Sequence, residues 1–220
     1  MKKHLPNFIT CLNLSSGCVG IYYTLVIGEP QAIYFVLIGG FFDLIDGLVA
    51  RLLKVSSEIG KQLDSLADLI TFGLLPSFYI LGLLKEQDVP FYWLAILVTV
   101  FSAIRLAKFN LDETQTDSFR GLPVPANAIM LTSIVFVPFE LGPYTILSIV
   151  ILSCFLLVSN IRLIALKFSS FQWKGNEFRW LLIGGVVVLG IVLGWTFLPL
   201  LIPFYVTISL FSNLKNYQSD

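Results

Sequence analysis

Four aspartates, Asp43, Asp46, Asp64 and Asp68, stand at the edges of apolar segments in a chain where charged residues make up only 13%. Read as helix, Asp43 and Asp46 are three residues apart and Asp64 and Asp68 four apart, so each pair shares a face. Between the pairs, Lys54 to Lys61 carries Ser56, Ser57, Glu58 and Gly60. Such a polar bend lets the chain fold back and bring the pairs together. Converging carboxylates repel one another by several kcal/mol in a low-dielectric setting and persist only where cations neutralise them. An all-oxygen donor set of this kind suits Mg2+ or Mn2+. Gly47, directly after Asp46, and Gly60, four before Asp64, let something bulky approach the backbone, and a nucleotide fits that description. Arg51, five residues after Asp46, is spaced to clamp a phosphate or to pair with an aspartate. The plainer alternative makes these acids helix-end charges paired with Arg51, Lys54 and Lys61. It suits any one of them better than all four, because Asp43 and Asp46 are embedded in the apolar run Ala32 to Leu53, where an unpaired charge costs a few kcal/mol and usually marks function.

The elements that must position these residues are membrane helices. In 220 residues, 56% are hydrophobic and the mean hydropathy is +0.85, far more apolar than a soluble domain of this length. The pattern predicts an all-α polytopic membrane protein with spans at about Phe8 to Ile27, Ala32 to Leu53, Ser65 to Leu84, Phe91 to Lys108, Val124 to Phe139, Tyr144 to Leu166, Trp180 to Leu193 and Leu198 to Phe211. The fifth, seventh and eighth are short for a span of roughly 20 residues, and the last two also read as one re-entrant hairpin. With eight spans and the N-terminus inside, every lysine and arginine except Lys85 falls on the inner side. That bias places the aspartates and both termini on the cytoplasmic face of the cell membrane. A formal net charge of zero thus hides a polarised molecule whose basic rim attracts anionic headgroups.

Other residues read more simply. Cys11, Cys18 and Cys154 lie inside spans without a CxxC pair and are expected to pack as reduced thiols. The first apolar stretch lacks a small-residue cleavage site and ends at Gly28-Glu29-Pro30, as a retained span would. His4 has no partner histidine or cysteine nearby, which favours a surface role over metal ligation. Pro6, Asn7 and Thr10 start the first helix, and Asn13, Ser15, Ser16, Gly17 and Gly20 continue a small, polar face expected to pack closely. Gly39 and Gly40 predict tight packing beneath the aspartates, and Gly73 with Pro76 a kink in the third span. Tyr92 and Trp93 are placed as interfacial anchors, as is the aromatic and basic loop Lys167 to Arg179 with Phe171, Trp173 and Lys174. Arg105 and Lys108 are either cytoplasmic anchors by snorkelling or part of the site. The tail from Asn213 to Asp220 is predicted to be disordered. No internal repeat, Walker loop, GxSxG, HExxH or nucleic-acid motif is present.

Asp43, Asp46, Gly47, Ala50, Arg51, Gly60, Asp64 and Asp68 fill every position of D-x2-D-G-x2-A-R-x8-G-x3-D-x3-D, which resembles the signature of the CDP-alcohol phosphatidyltransferases. Eight fixed residues at fixed gaps make the match specific. The resemblance implies a six-helix catalytic membrane core, here residues 1–166, with a loop, helical hairpin and polar tail appended over 167–220. It implies a two-metal site at Asp43, Asp46, Asp64 and Asp68, with Asp68 also the general base toward the acceptor hydroxyl. Asn7, Thr10, Asp46, Gly47, Ala50, Arg51 and Gly60 would then bind the cytidine diphosphate of CDP-diacylglycerol.

Further along, Arg105-Leu-Ala-Lys108-Phe-Asn110 and Phe119-Arg120-Gly121-Leu-Pro-Val-Pro-Ala126 resemble R-x-A-R-F-N and F-x-G-L-P-x-P-A of the serine-accepting branch of that family. Lys108 departs from the pattern, keeping charge but losing a bidentate fork. The resemblance covers roughly residues 5 to 130. It implies transfer of phosphatidyl to L-serine with release of CMP, serine contacts at Arg105, Asn110 and Arg120, diacylglycerol tails that leave between spans into membrane lipid, and a homodimer. Glycerol 3-phosphate or an inositol phosphate is the nearest rival acceptor, though such a site needs more basic residues than Arg105, Lys108 and Arg120. From a different class, a divalent-cation transporter would also place aspartates in a bundle, but near mid-membrane rather than at one face.

Overall fold

The computed structural model describes residues 4–28, 31–55, 57–111, 119–164, 173 and 176–217, with the backbone alone at 119–120 and 215–217. Lys2 and Lys3 of the basic lead, Glu29 and Pro30, Ser56, the polar stretch 112–118, Phe171 and Lys174 of the aromatic loop, and residues 218–220 of the tail lie outside the described residues.

The regular structure of the described residues is helical apart from one two-residue ladder. In order, α1 is His4–Ile27, α2 Ala32–Leu53, α3 Glu58–Glu86, α4 Tyr92–Leu111, α5 Val124–Phe136 and α6 Pro143–Val158; α7 is Glu177–Leu193 and α8 Leu198–Tyr217. α1 to α4 and the α7–α8 stretch are each long and apolar enough to cross a membrane. This is an all-α, multi-pass membrane protein.

The bundle is organised around α3, whose apolar window is 56% buried against 28% for α1 and for α2. Ile33, Val36, Phe72, Leu75, Ile80, Leu84, Leu131 and Val150 form part of the buried core. Outward-facing stripes such as Leu44, Leu48 and Leu52 on α2 are exposed, as helix faces turned to lipid are.

α1, α2 and α3 converge on Thr71. A Cβ on Gly17 would lie 2.5 Å from Thr71 Oγ1 and 2.8 Å from its Cα, and one on Gly39 would overlap Thr71 Cγ2. Only glycine permits this approach. Thr71 Oγ1 donates to the Asn13 carbonyl at 2.9 Å, locking α1 to α3 just past Asp68.

Several boundaries differ from the sequence reading, each for a local reason. α3 begins at Glu58 because Ser57 caps it, accepting from the Gly60 amide at 3.0 Å; Asp64 and Asp68 therefore lie within a long helix. The loosening expected as a kink near Gly73 and Pro76 is a π-helical segment, Leu69–Leu74, directly after Asp68. α5 ends at Phe136 because Val137 precedes Pro138 and is extended. α6 stops at Val158 and does not reach Leu166. The Leu122 amide takes the Leu156 carbonyl at 2.9 Å, the Gly121 amide takes that of Ile161 at 2.9 Å, and Phe119–Arg120 pairs antiparallel with Arg162–Leu163.

At the chain's end, α7 and α8 form an antiparallel hairpin turning at Gly194 (φ +58), and the Phe204 ring lies where a Cβ on Gly185 would be. The expected disorder from Asn213 is overturned as far as Tyr217. α8 continues to that point, and Asn213 Nδ2 donates to the Arg162 carbonyl at 2.8 Å, tying the helix to the ladder. Of the cysteines, only Cys154 packs inside the chain; Cys11 and Cys18 are exposed free thiols on the outer side of α1.

Candidate functional site

α2 and α3 deliver the aspartates to one place at one end of the bundle. α2 closes there in a left-handed turn at Lys54 (φ +52), the chain reverses, and Ser57 starts α3. One carboxylate oxygen each from Asp43, Asp64 and Asp68 lies within 4.8 Å of the other two. Asp46 is buried beside this cluster, its Oδ2 accepting from Thr10 Oγ1 at 2.6 Å. It belongs to the same site through α1 rather than to the triad itself.

Three carboxylates at this spacing in a membrane bundle demand compensating positive charge. The donor set is all oxygen, and Asp64 Oδ1 is buried with no hydrogen-bond partner among the described residues. An orphaned anionic oxygen facing two other carboxylates fits a hard divalent cation.

Beside the triad opens a cleft of about 260 Å3, lined by Pro6, Asn7 and Thr10 of α1, Asp46, Gly47, Ala50 and Val55 from α2 onward, and Ser57, Gly60, Lys61 and Asp64 at the start of α3. A Cβ on Gly47 would meet nothing within 4 Å, whereas one on Gly60 would press on Ser57 Oγ at 2.9 Å and Asn7 Oδ1 at 3.0 Å. Gly47 thus leaves room in the cleft, and Gly60 lets α1 close against α3. Asn7, Thr10, Asp46, Gly47, Ala50 and Gly60, six of the positions that the resemblance assigns to the nucleotide, share this one cleft. Arg51 is exposed on α2 and donates Nε to the Gly47 carbonyl at 3.1 Å.

The residues expected to meet an acceptor are less uniformly placed. Arg105 is buried on α4, its guanidinium 5.4 Å from the centre of the Phe109 ring. Asn110 clasps α4 to α3: its Nδ2 donates to Ser65 Oγ at 2.8 Å, and its carbonyl accepts from Lys61 Nζ at 3.0 Å. The Arg120 backbone pairs with Arg162, while its side chain lies outside the described residues.

Sequence reasoning passed over two site residues. Asn13, fully buried, donates Nδ2 to Asp68 Oδ1 at 3.1 Å; in sequence it is one member of a small polar stripe. Lys61 brings an ammonium to the cleft wall. Its place seven residues before Asp68, near two helical turns, was a usable signal.

The sequence profile of the CDP-alcohol phosphatidyltransferases matches residues 3–192. The chain belongs to this family of enzymes. The matched stretch extends well past the motif-bearing residues 5 to 130, to within one residue of the end of α7. Among curated relatives, a Helicobacter pylori protein named CDP-diacylglycerol-serine O-phosphatidyltransferase is 33% identical over 190 residues, covering 81% of this chain and 78% of its own. A Bacillus subtilis protein of the same name is 32% identical over 136 residues, 61% of this chain and 76% of its own. A Saccharomyces cerevisiae protein, also of that name, is 35% identical over 151 residues, 60% of this chain and 54% of its own.

Proposed function

We propose that this enzyme transfers the phosphatidyl group of CDP-diacylglycerol to the hydroxyl of L-serine, yielding phosphatidylserine and CMP. The observation that carries the reading is the juxtaposition of the Asp43, Asp64 and Asp68 oxygens with a cleft that Gly47 leaves open. The names of the relatives support CDP-diacylglycerol as the donor and serine as the acceptor, and the family's description supports a CDP-linked alcohol as the donor class.

In this reading the serine oxygen attacks the phosphorus that bears diacylglycerol, the bond from that phosphorus to the oxygen of CMP breaks, and CMP leaves with the bonding pair. Asp68 takes the hydroxyl proton, since a neutral hydroxyl is a poor nucleophile. Asp43, Asp46, Asp64 and Asp68 would hold two divalent cations, Mg2+ or Mn2+, which would supply the positive charge that the diphosphate needs. Asn7, Thr10, Gly47, Ala50 and Gly60 admit the cytidine diphosphate, Arg51 steadies its phosphates from the rim, and Arg105, Asn110 and Arg120 meet the amino acid. Residues 1–166 form the catalytic domain and 167–220 an appended unit. The catalytic end faces the cytoplasm, as the positive-inside pattern favours, and two copies pair in the membrane.

The test is CMP release by purified protein in mixed micelles with CDP-diacylglycerol and Mg2+ or Mn2+, comparing L-serine, glycerol 3-phosphate, an inositol phosphate and no acceptor. Release that depends on serine is the expected result. Release with another acceptor alone overturns the serine assignment, and none under any condition overturns the proposed transfer reaction.

A further inference from the structure

The helices packed on the π segment that follows Asp68 carry a second set of buried polar groups. α4 and α5 both pack on Leu69–Leu74, and α5 also packs on α2. Ser102 of α4 is fully buried, its Oγ without a hydrogen-bond partner among the described residues. Asn127 of α5 is fully buried too, and neither its Oδ1 nor its Nδ2 has a partner among them.

The register between α3 and α4 places Arg105 relative to the base. A Cβ on Gly73 would lie 3.1 Å from Ser102 Cβ, and Ser65 bonds Asn110. Along these antiparallel helices 73 faces 102 and 65 faces 110, so Arg105 stands level with Ile70. That is two residues, roughly 3 Å of helix rise, from Asp68. A buried cation, a hydroxyl and an amide with both ends unmatched are thus carried by the two helices flanking this turn.

Leaving an amide dehydrated and unpaired is costly, and leaving both its ends so is rarer still. Such a group is explained when a ligand completes it, and π segments recur at functional sites. The ligand must offer donors and acceptors together, close to Asp68. A free amino acid does: its carboxylate suits a guanidinium, its ammonium an amide oxygen, and its hydroxyl an amide N–H or a serine oxygen.

We infer that Asn127, with Ser102 and Arg105, forms the acceptor subsite, and that Asn127 is the residue that selects a zwitterionic amino alcohol over a phosphorylated alcohol. The inference rests on the serine reading above and adds the residues that would enforce it. Asn127 carries no charge, so it can accept from an ammonium without attracting a second phosphate.

The test is Asn127→Leu, which keeps the volume and removes both unmatched polar atoms. A ligand-binding Asn127 predicts a variant at least as heat-stable in detergent as wild type, because no structural bond is lost. It also predicts a KM for serine raised about tenfold or more, the weight of one hydrogen bond to a charged group, an unchanged KM for CDP-diacylglycerol, and loss of the melting-temperature rise that millimolar serine gives wild type. A clear drop in melting temperature without ligand, or an unchanged serine KM, overturns the inference by making Asn127 a structural residue. If wild type instead uses a phosphorylated acceptor and shows no serine-induced shift, the serine reading itself fails and the subsite fails with it. A wild type that uses serine beside a variant that still does so normally refutes the subsite alone.

Discussion

Asn13 Nδ2 donates to Asp68 Oδ1 at 3.1 Å from a position with no exposure to solvent, while the carbonyl of the same residue accepts from Thr71 Oγ1 at 2.9 Å. One residue of α1 thereby fixes both the side chain of Asp68 and the backbone turn just beyond it. The bond engages one carboxylate oxygen and leaves the other for chemistry. Asn13→Ala is expected to lower kcat by about ten- to a hundredfold, the weight of a hydrogen bond to a charged group, with little change in KM for CDP-diacylglycerol. Equal loss in KM and kcat/KM with kcat intact would show that Asn13 serves binding instead.

The carboxylate triad predicts an opposite pair of effects on stability and activity. Asp64→Asn removes one charge from a group of like charges, so the metal-free variant should melt no lower than wild type. Its transfer rate should fall by about a thousandfold, in keeping with the several kcal/mol that metal-ion catalysis supplies. Mn2+ should raise the melting temperature of wild type and not of Asp64→Asn. Differential scanning fluorimetry with and without EDTA reads both, and an equal Mn2+ shift in the two proteins would contradict the metal assignment.

Gly47 and Gly17 should separate cleanly, because a Cβ meets nothing within 4 Å at the first and Thr71 at the second. Gly47→Leu should leave the melting temperature near wild type and weaken CMP binding by about tenfold or more, since the added side chain occupies the cleft. Gly17→Val should destabilise by about 1–3 kcal/mol, the usual cost of overpacking. A destabilised Gly47→Leu that still binds CMP normally would place the nucleotide elsewhere.

Lys61 joins the cleft wall to the end of α4 through the Asn110 carbonyl. Lys61→Met should raise KM for CDP-diacylglycerol about threefold, as loss of an exposed charge near an anionic ligand does, and make KM less sensitive to ionic strength. An unchanged KM would make Lys61 a helix clasp only.

Much of this arrangement was legible in the residues themselves. Apolar length fixes α2 at Ala32–Leu53, as read from sequence, and the three- and four-residue spacings of the aspartates do bring Asp43, Asp64 and Asp68 together once the bend at Lys54 to Ser57 reverses the chain. What escaped was set by contacts between distant segments. Asn13 looks like packing because a stripe of Asn, Ser and Gly is the signature of close helices, and it also is that: Gly17 and Asn13 both meet Thr71. The end of α6 is set by amides of Gly121 and Leu122, some 35 residues upstream, and the order of Asn213 by a carbonyl at Arg162. Hydrophobicity continues past the first place and gives out at the second, and neither pattern records those bonds. Cys11 and Cys18 share the composition of a packed face yet look outward, since in a membrane apolar residues serve both faces of a helix.

The most direct measurement of the central claim is incorporation of radiolabelled L-serine into extractable lipid by purified protein, supplied with CDP-diacylglycerol and Mn2+ in micelles, with and without excess EDTA. Label should appear in phosphatidylserine in proportion to CMP released and vanish with EDTA, returning when Mn2+ is restored. Absence of labelled lipid under every metal condition, or full incorporation in the presence of the chelator, would contradict the account.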